Sequence, residues 1–169
     1  MSTGLSGPRR IVAGAVRDHV LGVAAVSGRG ELFRAGARVV KNVTGYDLPK
    51  LLTGAFGTLG VITEVTLKVL PAAEVVRTLV LAGVAAADGV AALTAALGSP
   101  AEVSGAAWVP ADLSFPHLPD RTPCALLRLE GPAVSVAARL AHLERLLDGR
   151  AAMAVLDGAE SGDLWAALR

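Results

Sequence analysis

The sequence predicts an α+β protein with two domains: a mostly antiparallel sheet in residues 1–71 and a small domain of strands and helices in residues 72–169. Two observations predict this class. Short apolar runs separated by glycine-rich turns fill the first part, a pattern typical of antiparallel strands. After Pro71, two runs with apolar residues at helical spacing alternate with four apolar runs short enough to be strands. Because 53% of the 169 residues are apolar, the chain can bury a core without disulfides or a metal.

Four strands and one short helix are predicted in the first part. The strands are Ile11–Val16, Val20–Val26, Glu31–Arg34 and Val61–Val69, and Val39–Val40 would extend the sheet. Ser27–Gly30 forms the hairpin turn between the second and third strands. Asp47 is expected to cap a helix that begins at Leu48, because Pro49 then falls in the first turn, where its missing N–H costs nothing. Apolar and polar residues alternate from Thr63 to Val69, which predicts a half-buried strand.

The second part is predicted to form a ferredoxin-like domain with the order βαββαβ. Its strands are Val75–Leu81, Val103–Val109, Cys124–Glu130 and Ala151–Leu156, and its helices are Ala86–Leu97 and Ala133–Leu147, followed by a helical segment from Glu160. Asp88 is a candidate N-cap of the first helix, and Gly149 ends the second. Each helix has an apolar stripe that a four-stranded sheet can cover.

Composition and charge exclude several classes of protein. Sixteen Lys and Arg residues against fifteen Asp and Glu residues leave a net charge of +1, so the chain lacks the basic excess expected of a nucleic-acid-binding protein. Cys124 is the single cysteine, which excludes an internal disulfide framework and favours a cytoplasmic location. The apolar segment Leu79–Leu97 is long enough for a membrane span, but its central Asp88 and its many alanines argue against one.

A glycine-dense segment, Gly54–Gly60, lies between the predicted helix and the strand that begins at Val61. Because glycine lacks a Cβ atom, the backbone there can approach a planar ring or a phosphate closely. The available donors are main-chain N–H groups and the hydroxyls of Thr58 and Thr63. On spacing alone, a tight connection from helix to strand is the favoured interpretation, and a cofactor-binding loop is the alternative.

The residue types favour the cofactor-binding loop. The run Lys-Asn-Val-Thr-Gly-Tyr-Asp-Leu from Lys41, followed by Gly-Thr-Leu-Gly-Val-Ile-Thr-Glu from Gly57, resembles the PCMH-type flavin-binding domain of the FAD-linked oxidases, also called the vanillyl-alcohol-oxidase family. Residues 16–22 and the hairpin at Gly30 are similar as well, so the resemblance covers Gly14–Pro71. It implies that residues 1–71 are the second half of an FAD-binding domain and residues 72–169 a cap domain.

The resemblance also implies a set of cofactor contacts. FAD would lie along the segment before and at the start of the last strand of the first part, which comprises Gly57, Thr58, Gly60, Val61, Ile62 and Thr63. Backbone groups of Val61 and Ile62 would form hydrogen bonds with the cofactor. Asn42 and Tyr46 are further candidates, for ordering the loop or for contacting the flavin, although Tyr46 is more often a packed ring with a satisfied hydroxyl.

The sequence indicates neither a catalytic base nor a metal site. His19, His117 and His142 share no ligand spacing, and His142 is expected to face solvent. Cys124 is expected to be a buried packing residue rather than a nucleophile. Members of the family bind the FAD pyrophosphate with a glycine-rich loop, and this sequence has no counterpart of that loop before Gly14. Losing two charge-assisted phosphate bonds would cost about 3–6 kcal/mol, so this chain alone is expected to bind FAD weakly or not at all.

The function implied by the resemblance is that of an FAD-binding subunit of a glycolate oxidase-type oxidoreductase. Such a subunit would pass electrons from a small 2-hydroxy acid through FAD to an iron–sulfur partner, beside a sister flavoprotein subunit. It would be cytoplasmic, and peripheral to the inner membrane through its partners. The alternative is a non-catalytic assembly or binding module in which the flavin-type segment is structural only.

Overall fold

The computed structural model of the chain describes residues 1–39 and 45–168, which form two compact units. The first unit comprises Met1–Ser6 and Gly14–Pro71, and the second comprises Gly7–Ala13 and the chain from Ala72 onward. Each unit contains one antiparallel sheet with helices, so the predicted α+β class is confirmed. No helix in the described part of the chain is long and apolar enough to cross a membrane.

Thirteen elements are described, in the following chain order: α1 Arg10–Ala13, α2 Val16–His19, β1 Val20–Val26, β2 Leu32–Gly36, α3 Leu48–Leu52, β3 Val61–Leu67, β4 Val75–Ala82, α4 Ala86–Leu97, β5 Gly105–Val109, β6 Cys124–Gly131, α5 Ala133–Leu146, β7 Ala152–Asp157 and α6 Gly158–Ala167.

The first unit is a three-stranded antiparallel sheet with β1 at its centre, in the order β2-β1-β3. The predicted hairpin between β1 and β2 is confirmed, and Ser27 closes it by donating its N–H to the Glu31 carbonyl over 2.9 Å. A small core of Val20, Val23, Ala25 and Leu52 joins β1 to α3. The predicted cap of α3 is also confirmed, since the Asp47 carboxylate accepts the Lys50 N–H at 3.2 Å.

The strand predicted at Ile11–Val16 is wrong. Residues 10–13 and 16–19 are short helices, and Gly14 separates them with a φ of +88° that a strand residue does not adopt. The Asp18 carboxylate accepts the Ala15 N–H at 2.8 Å, which satisfies a donor at the start of α2. The predicted extension of the sheet is not seen at Val39, which lies outside the strands, and Val40 falls outside the described residues.

The apolar face of β3 is largely uncovered, so the prediction of a half-buried strand is wrong. Val61 and Leu67 are 66% and 51% exposed, and Val65 is also classed as exposed. β3 is an edge strand of a sheet whose only described helical cover, α2 and α3, packs against β1 and β2. A β-bulge also interrupts the alternation, because Ile62 pairs with Ala25 and Glu64 with Ala24, which leaves Thr63 as an extra residue.

The second unit has the ferredoxin-like arrangement that the sequence predicts. Its four antiparallel strands lie in the order β5-β6-β4-β7, and α4 and α5 cover one face of the sheet. The second face packs against Leu164 and Trp165 of α6. The predicted cap of α4 is wrong: the helix begins at Ala86, so Asp88 lies within its first turn rather than before it.

Two side-chain predictions in this unit have different outcomes. Cys124 is completely buried in β6, as expected of a packing residue. The prediction that His142 faces solvent is wrong: the side chain is only partly exposed, and its Nε2 atom is buried without a hydrogen-bond partner among the described residues.

Candidate functional site

The glycine-dense segment forms a compact turn between α3 and β3. The Thr58 N–H and hydroxyl both donate to the Ala55 carbonyl, over 2.9 and 2.6 Å. Gly54 and Gly57 adopt φ values of +84° and +78°, and Phe56 between them also has a positive φ of +54°. Three left-handed residues within four positions turn the chain sharply from the helix into the strand.

The N-terminal residues of the chain occupy part of this turn. The Gly54 N–H donates to the Met1 carbonyl at 3.2 Å, and the Phe56 N–H donates to the Ser2 carbonyl at 2.9 Å. These two main-chain donors are therefore already used. Donors remain available at the start of β3, because every second N–H and C=O group of an edge strand faces away from its neighbour.

The two glycines nearest β3 are present for different reasons. A Cβ atom at Gly60 would lie 2.8 Å from the Val26 carbonyl oxygen, so the close approach of β1 alone requires glycine there. A Cβ atom at Gly57 would meet nothing within 4 Å, and glycine is favoured there by the positive φ alone. Gly57 therefore lies beside open space, whereas Gly60 is part of the packing of the sheet.

Thr63 is held by the sheet rather than presented freely. Its hydroxyl donates to the Ala24 carbonyl at 3.2 Å, across the β-bulge. A bulge leaves backbone groups of the ladder unpaired, and this side chain satisfies one of them. Ile62 is partly buried against the small core of the first unit.

Apolar side chains around the turn are exposed to an unusual degree. Phe56 is 72% exposed and Val61 66% exposed, and Leu59 between them is also exposed. Tyr46 is 94% exposed, so the alternative of a packed ring with a satisfied hydroxyl is wrong. Asn42, the other candidate in the preceding loop, lies outside the described residues.

The turn carries apolar surface and backbone donors but no cationic side chain. Gly54–Thr63 contains neither lysine nor arginine. Such a surface fits a flat aromatic ring, which needs apolar contact and a few main-chain hydrogen bonds. It does not fit a pyrophosphate, whose charge requires cationic side chains or several converging N–H groups.

Other ionisable groups of the first unit are engaged in the fold. Arg34 and Glu64 form a 3.0 Å ion pair across Ala24, on the face of the sheet opposite its core. The hydrogen bond from Lys50 to the Asp47 carboxylate lowers the pKa of that exposed cap residue. His19 Nδ1 lies 3.2 Å from the Lys68 carbonyl oxygen. In the described part of the chain, no three His, Cys, Asp or Glu side chains are grouped as metal ligands would be.

Sequence reasoning missed an arginine cluster in the second unit. Arg128 lies in the middle of β6 and is only 7% exposed, and Glu130 links it to Arg9. The available signal was the run Cys-Ala-Leu-Leu-Arg-Leu-Glu-Gly, in which one arginine interrupts an otherwise apolar strand. A cation at such a position is rarely buried unless it has a partner.

Comparisons with known proteins match part of the chain. The chain is 52% identical over 71 residues to the glycolate oxidase subunit GlcE of Escherichia coli (strain K12), a match that covers 42% of this chain and 20% of that protein. It is 44% identical over 71 residues to an uncharacterized FAD-linked oxidoreductase of Mycobacterium tuberculosis (strain ATCC 25618 / H37Rv), covering 42% of this chain and 16% of that protein. The resemblance to FAD-linked oxidases is confirmed by these relatives, of whose length the chain spans a fifth or less. No protein-family model matches the chain.

The fold is also found in a larger solved structure. Alkyldihydroxyacetonephosphate synthase superimposes on 92% of this chain with a TM-score of 0.67 and 20% sequence identity, and the match covers 32% of that protein. At this level of identity the comparison establishes the fold alone.

Proposed function

We propose that this chain is the flavin-contacting part of an FAD-dependent oxidoreductase subunit that acts on a small 2-hydroxy acid of the glycolate type. The observation that carries this proposal is the 52% identity over 71 residues with a glycolate oxidase subunit. The exposed apolar turn before β3 supports it, because a soluble domain rarely exposes such a patch unless something binds there.

FAD would accept a hydride from the substrate, and the protein would bind and orient it. We place the ring of the flavin against the turn, with Phe56, Leu59 and Val61 as apolar contacts. Of Val61 and Ile62, the residue whose N–H and C=O face the open edge of β3 would supply hydrogen bonds from its backbone. Gly57, Thr58, Gly60 and Thr63 would shape this surface through the turn, the close strand packing and the bulge, and Asn42 and Tyr46 would flank it.

The pyrophosphate of FAD would have to be held elsewhere, since the turn offers no cationic side chain. This agrees with the expectation that the chain alone binds FAD weakly. At the level of the complex, we propose a sister flavoprotein subunit and an iron–sulfur subunit as partners, in a cytoplasmic assembly peripheral to the inner membrane.

A ligand titration tests the proposed contact surface. Riboflavin carries the ring without the pyrophosphate, so it should bind this chain about as well as FAD does, whereas ADP should not compete. Quenching of flavin fluorescence would measure both dissociation constants. If ADP competes and riboflavin does not bind, the ring does not lie on this turn.

Two matched variants locate the surface on the strand. Val61→Asp should weaken riboflavin binding by about tenfold, because an exposed valine loses up to about 1.5 kcal/mol of apolar contact. Leu67→Asp lies six residues further along the same strand, about 20 Å away, and should leave binding unchanged. Both side chains are exposed, so neither substitution should unfold the unit. Equal effects of the two variants would argue against the proposed position.

A second experiment addresses the activity of the complex. Deleting the coding sequence in the source organism should abolish glycolate-dependent reduction of an artificial electron acceptor in cell extracts, and re-expression should restore it. Parallel assays with D-lactate would show the breadth of the substrate class. Unchanged reduction with every 2-hydroxy acid tested would refute the proposed function.

One observation favours the alternative function, that of a non-catalytic assembly module. Gly60 is required by the approach of the Val26 carbonyl, so the glycine spacing is partly explained without any cofactor. A module of this kind would show no riboflavin binding, yet its deletion would still prevent the partner subunits from co-purifying. The titration and the deletion together therefore separate the two functions.

A further inference from the structure

A buried arginine interrupts the apolar strand β6 of the second unit. Arg128 lies between Leu127 and Leu129, which point into the core beneath α4 and α5. Because successive side chains alternate across a strand, Arg128 points to the opposite face, where α6 packs. A buried cation is costly unless its charge and its donors are satisfied.

The guanidinium of Arg128 is only partly satisfied. Its Nη1 donates to the Ser104 hydroxyl at 3.2 Å and to the Glu130 carboxylate. Its Nε is buried and has no hydrogen-bond partner among the described residues. The Ser104 hydroxyl and the Glu130 carboxylate therefore leave the Nε donor of the guanidinium without an acceptor.

A second arginine shares the same carboxylate. Arg9 Nη2 donates to both oxygens of Glu130, at 3.1 and 3.0 Å. Burial raises the pKa of Glu130, but the hydrogen bond from Arg128 and the charges of Arg128 and Arg9 outweigh that effect and hold the pKa below its ordinary value. The carboxylate is therefore ionised at neutral pH. Two guanidinium groups and one carboxylate leave this cluster with an excess of one positive charge.

Both arginines line a pocket of about 330 Å³. Its remaining wall includes Trp165, Gly162 and Pro8. The Trp165 indole N–H is already donated to the Thr78 hydroxyl at 2.8 Å, so this residue offers the pocket an apolar ring rather than a donor. The volume is at the lower end of the range for small-molecule sites, about 300–1,000 Å³.

We propose that this pocket binds a small organic monocarboxylate, with its carboxylate between the guanidinium groups of Arg9 and Arg128 and its carbon end against Trp165. The planar guanidinium fork matches a carboxylate in two hydrogen bonds. A dianion is disfavoured, because Glu130 contributes a negative charge and the excess positive charge is only one. The site lies wholly within the second unit and needs no flavin, so it stands independently of the proposed function.

The two tryptophans of the chain give a direct readout. Trp165 lines the pocket, whereas Trp108 lies on the other face of the sheet and donates its indole N–H to the Val84 carbonyl at 3.1 Å. In ¹H–¹⁵N spectra of the full chain, glycolate and acetate should shift the Trp165 indole signal with a dissociation constant of about 1–10 mM. The Trp108 signal should stay in place. Ethylene glycol, which lacks the charge, should shift neither signal.

Four variants test the chemistry. Arg9→Gln should raise the dissociation constant of acetate about two- to fivefold, the range of a partly exposed charge contact. Arg10→Gln removes the same charge one residue away, from a side chain that does not line the pocket, and should have no effect. Glu130→Gln should tighten binding, because it removes the carboxylate that competes for both arginines. Gly162→Leu should abolish binding by filling the pocket, while α6 gains a better helix former.

The melting temperature of each variant shows whether it is folded, and Gly162→Leu and Arg10→Gln keep the test decisive even if Glu130→Gln unfolds. Any of three outcomes would overturn the proposal. The first is a Trp165 signal that does not saturate with either carboxylate, and the second is acetate binding by folded Gly162→Leu. The third is a shift of the signal by phosphate or chloride, at equal ionic strength, as large as the shift by acetate.

Discussion

Alanine at Gly89 should destabilise the second unit, although alanine in a helix is normally stabilising. In an open helix interior, glycine to alanine gains about 0.8–1.0 kcal/mol. A Cβ atom at Gly89 in α4 would lie 2.4 Å from Cδ1 and 2.9 Å from Nε1 of Trp108. Carbon atoms in contact normally stay about 3.5–4.0 Å apart. The indole would therefore have to move by about 1 Å and would weaken its hydrogen bond to the Val84 carbonyl.

The expected magnitude follows from three contributions. Overpacking a well-filled core costs about 1–3 kcal/mol, and weakening the indole hydrogen bond costs about 1 kcal/mol. The gain in helix propensity offsets about 1 kcal/mol of this. The free energy of unfolding should therefore fall by about 1–3 kcal/mol. Gly162→Ala in α6 is the matched control: its Cβ would meet nothing within 4 Å, so it should raise stability by about 0.5–1 kcal/mol.

Urea unfolding followed by tryptophan fluorescence measures both effects, because both tryptophans of the chain lie in the second unit. With a slope of about 1–3 kcal/mol per molar urea, the midpoints should move in opposite directions by measurable amounts. The double variant Gly89→Ala/Trp108→Leu should recover much of the loss, since the two side chains no longer collide. If Gly89→Ala stabilised the chain as much as Gly162→Ala, the packing argument would be refuted.

Three further predictions concern Gly60, Glu130 and Cys124. Gly60→Ala should speed amide hydrogen exchange in β1 and β3, because its Cβ would press on the Val26 carbonyl at a cost of about 1–3 kcal/mol; unchanged protection would contradict this contact. Because Glu130 has a lowered pKa in the folded state, its stabilising contribution is present above the pKa of the unfolded chain and is lost as the pH falls through the folded value. Acid titration of unfolding should accordingly show a shallower loss of stability for Glu130→Gln than for the original chain. Cys124 is buried, and burial raises the pKa of its thiol. Its reaction with a disulfide reagent should therefore be at least about 10³-fold slower in the folded chain than in urea. Rapid labelling of Cys124 in the folded chain would contradict this prediction and show that β6 opens easily.

The sequence predicted the second unit well because its local signals agree with its packing. Each strand is an apolar run bounded by turn residues, and α4 and α5 carry apolar stripes that face the sheet. The order βαββαβ leaves few ways to bury both stripes on one sheet. The Asp88 cap was wrong because helix boundaries depend on single residues, and α4 begins at Ala86 without a side-chain cap.

The first unit shows the limits of the same reasoning. An apolar run such as Ile11–Val16 fits a helix or a strand equally well, and the positive φ at Gly14 divides it into two helices. Alternation in β3 indicated which residues share a face, but it carried no information on whether anything covers that face. Neither does a sequence show a β-bulge, which shifts every later residue by one position and leaves Thr63 unpaired.

The sequence by itself determined the strand and helix order, the glycine turn and the likeness to flavin-dependent oxidases, because these depend on neighbouring residues and on short motifs. Only the tertiary structure decided why Gly60 is glycine, which apolar side chains remain exposed beside it, and that Arg9 and Arg128 share Glu130 across 121 residues of sequence. Such contacts join distant parts of the chain, and their free energies depend on distances and burial that no local pattern encodes.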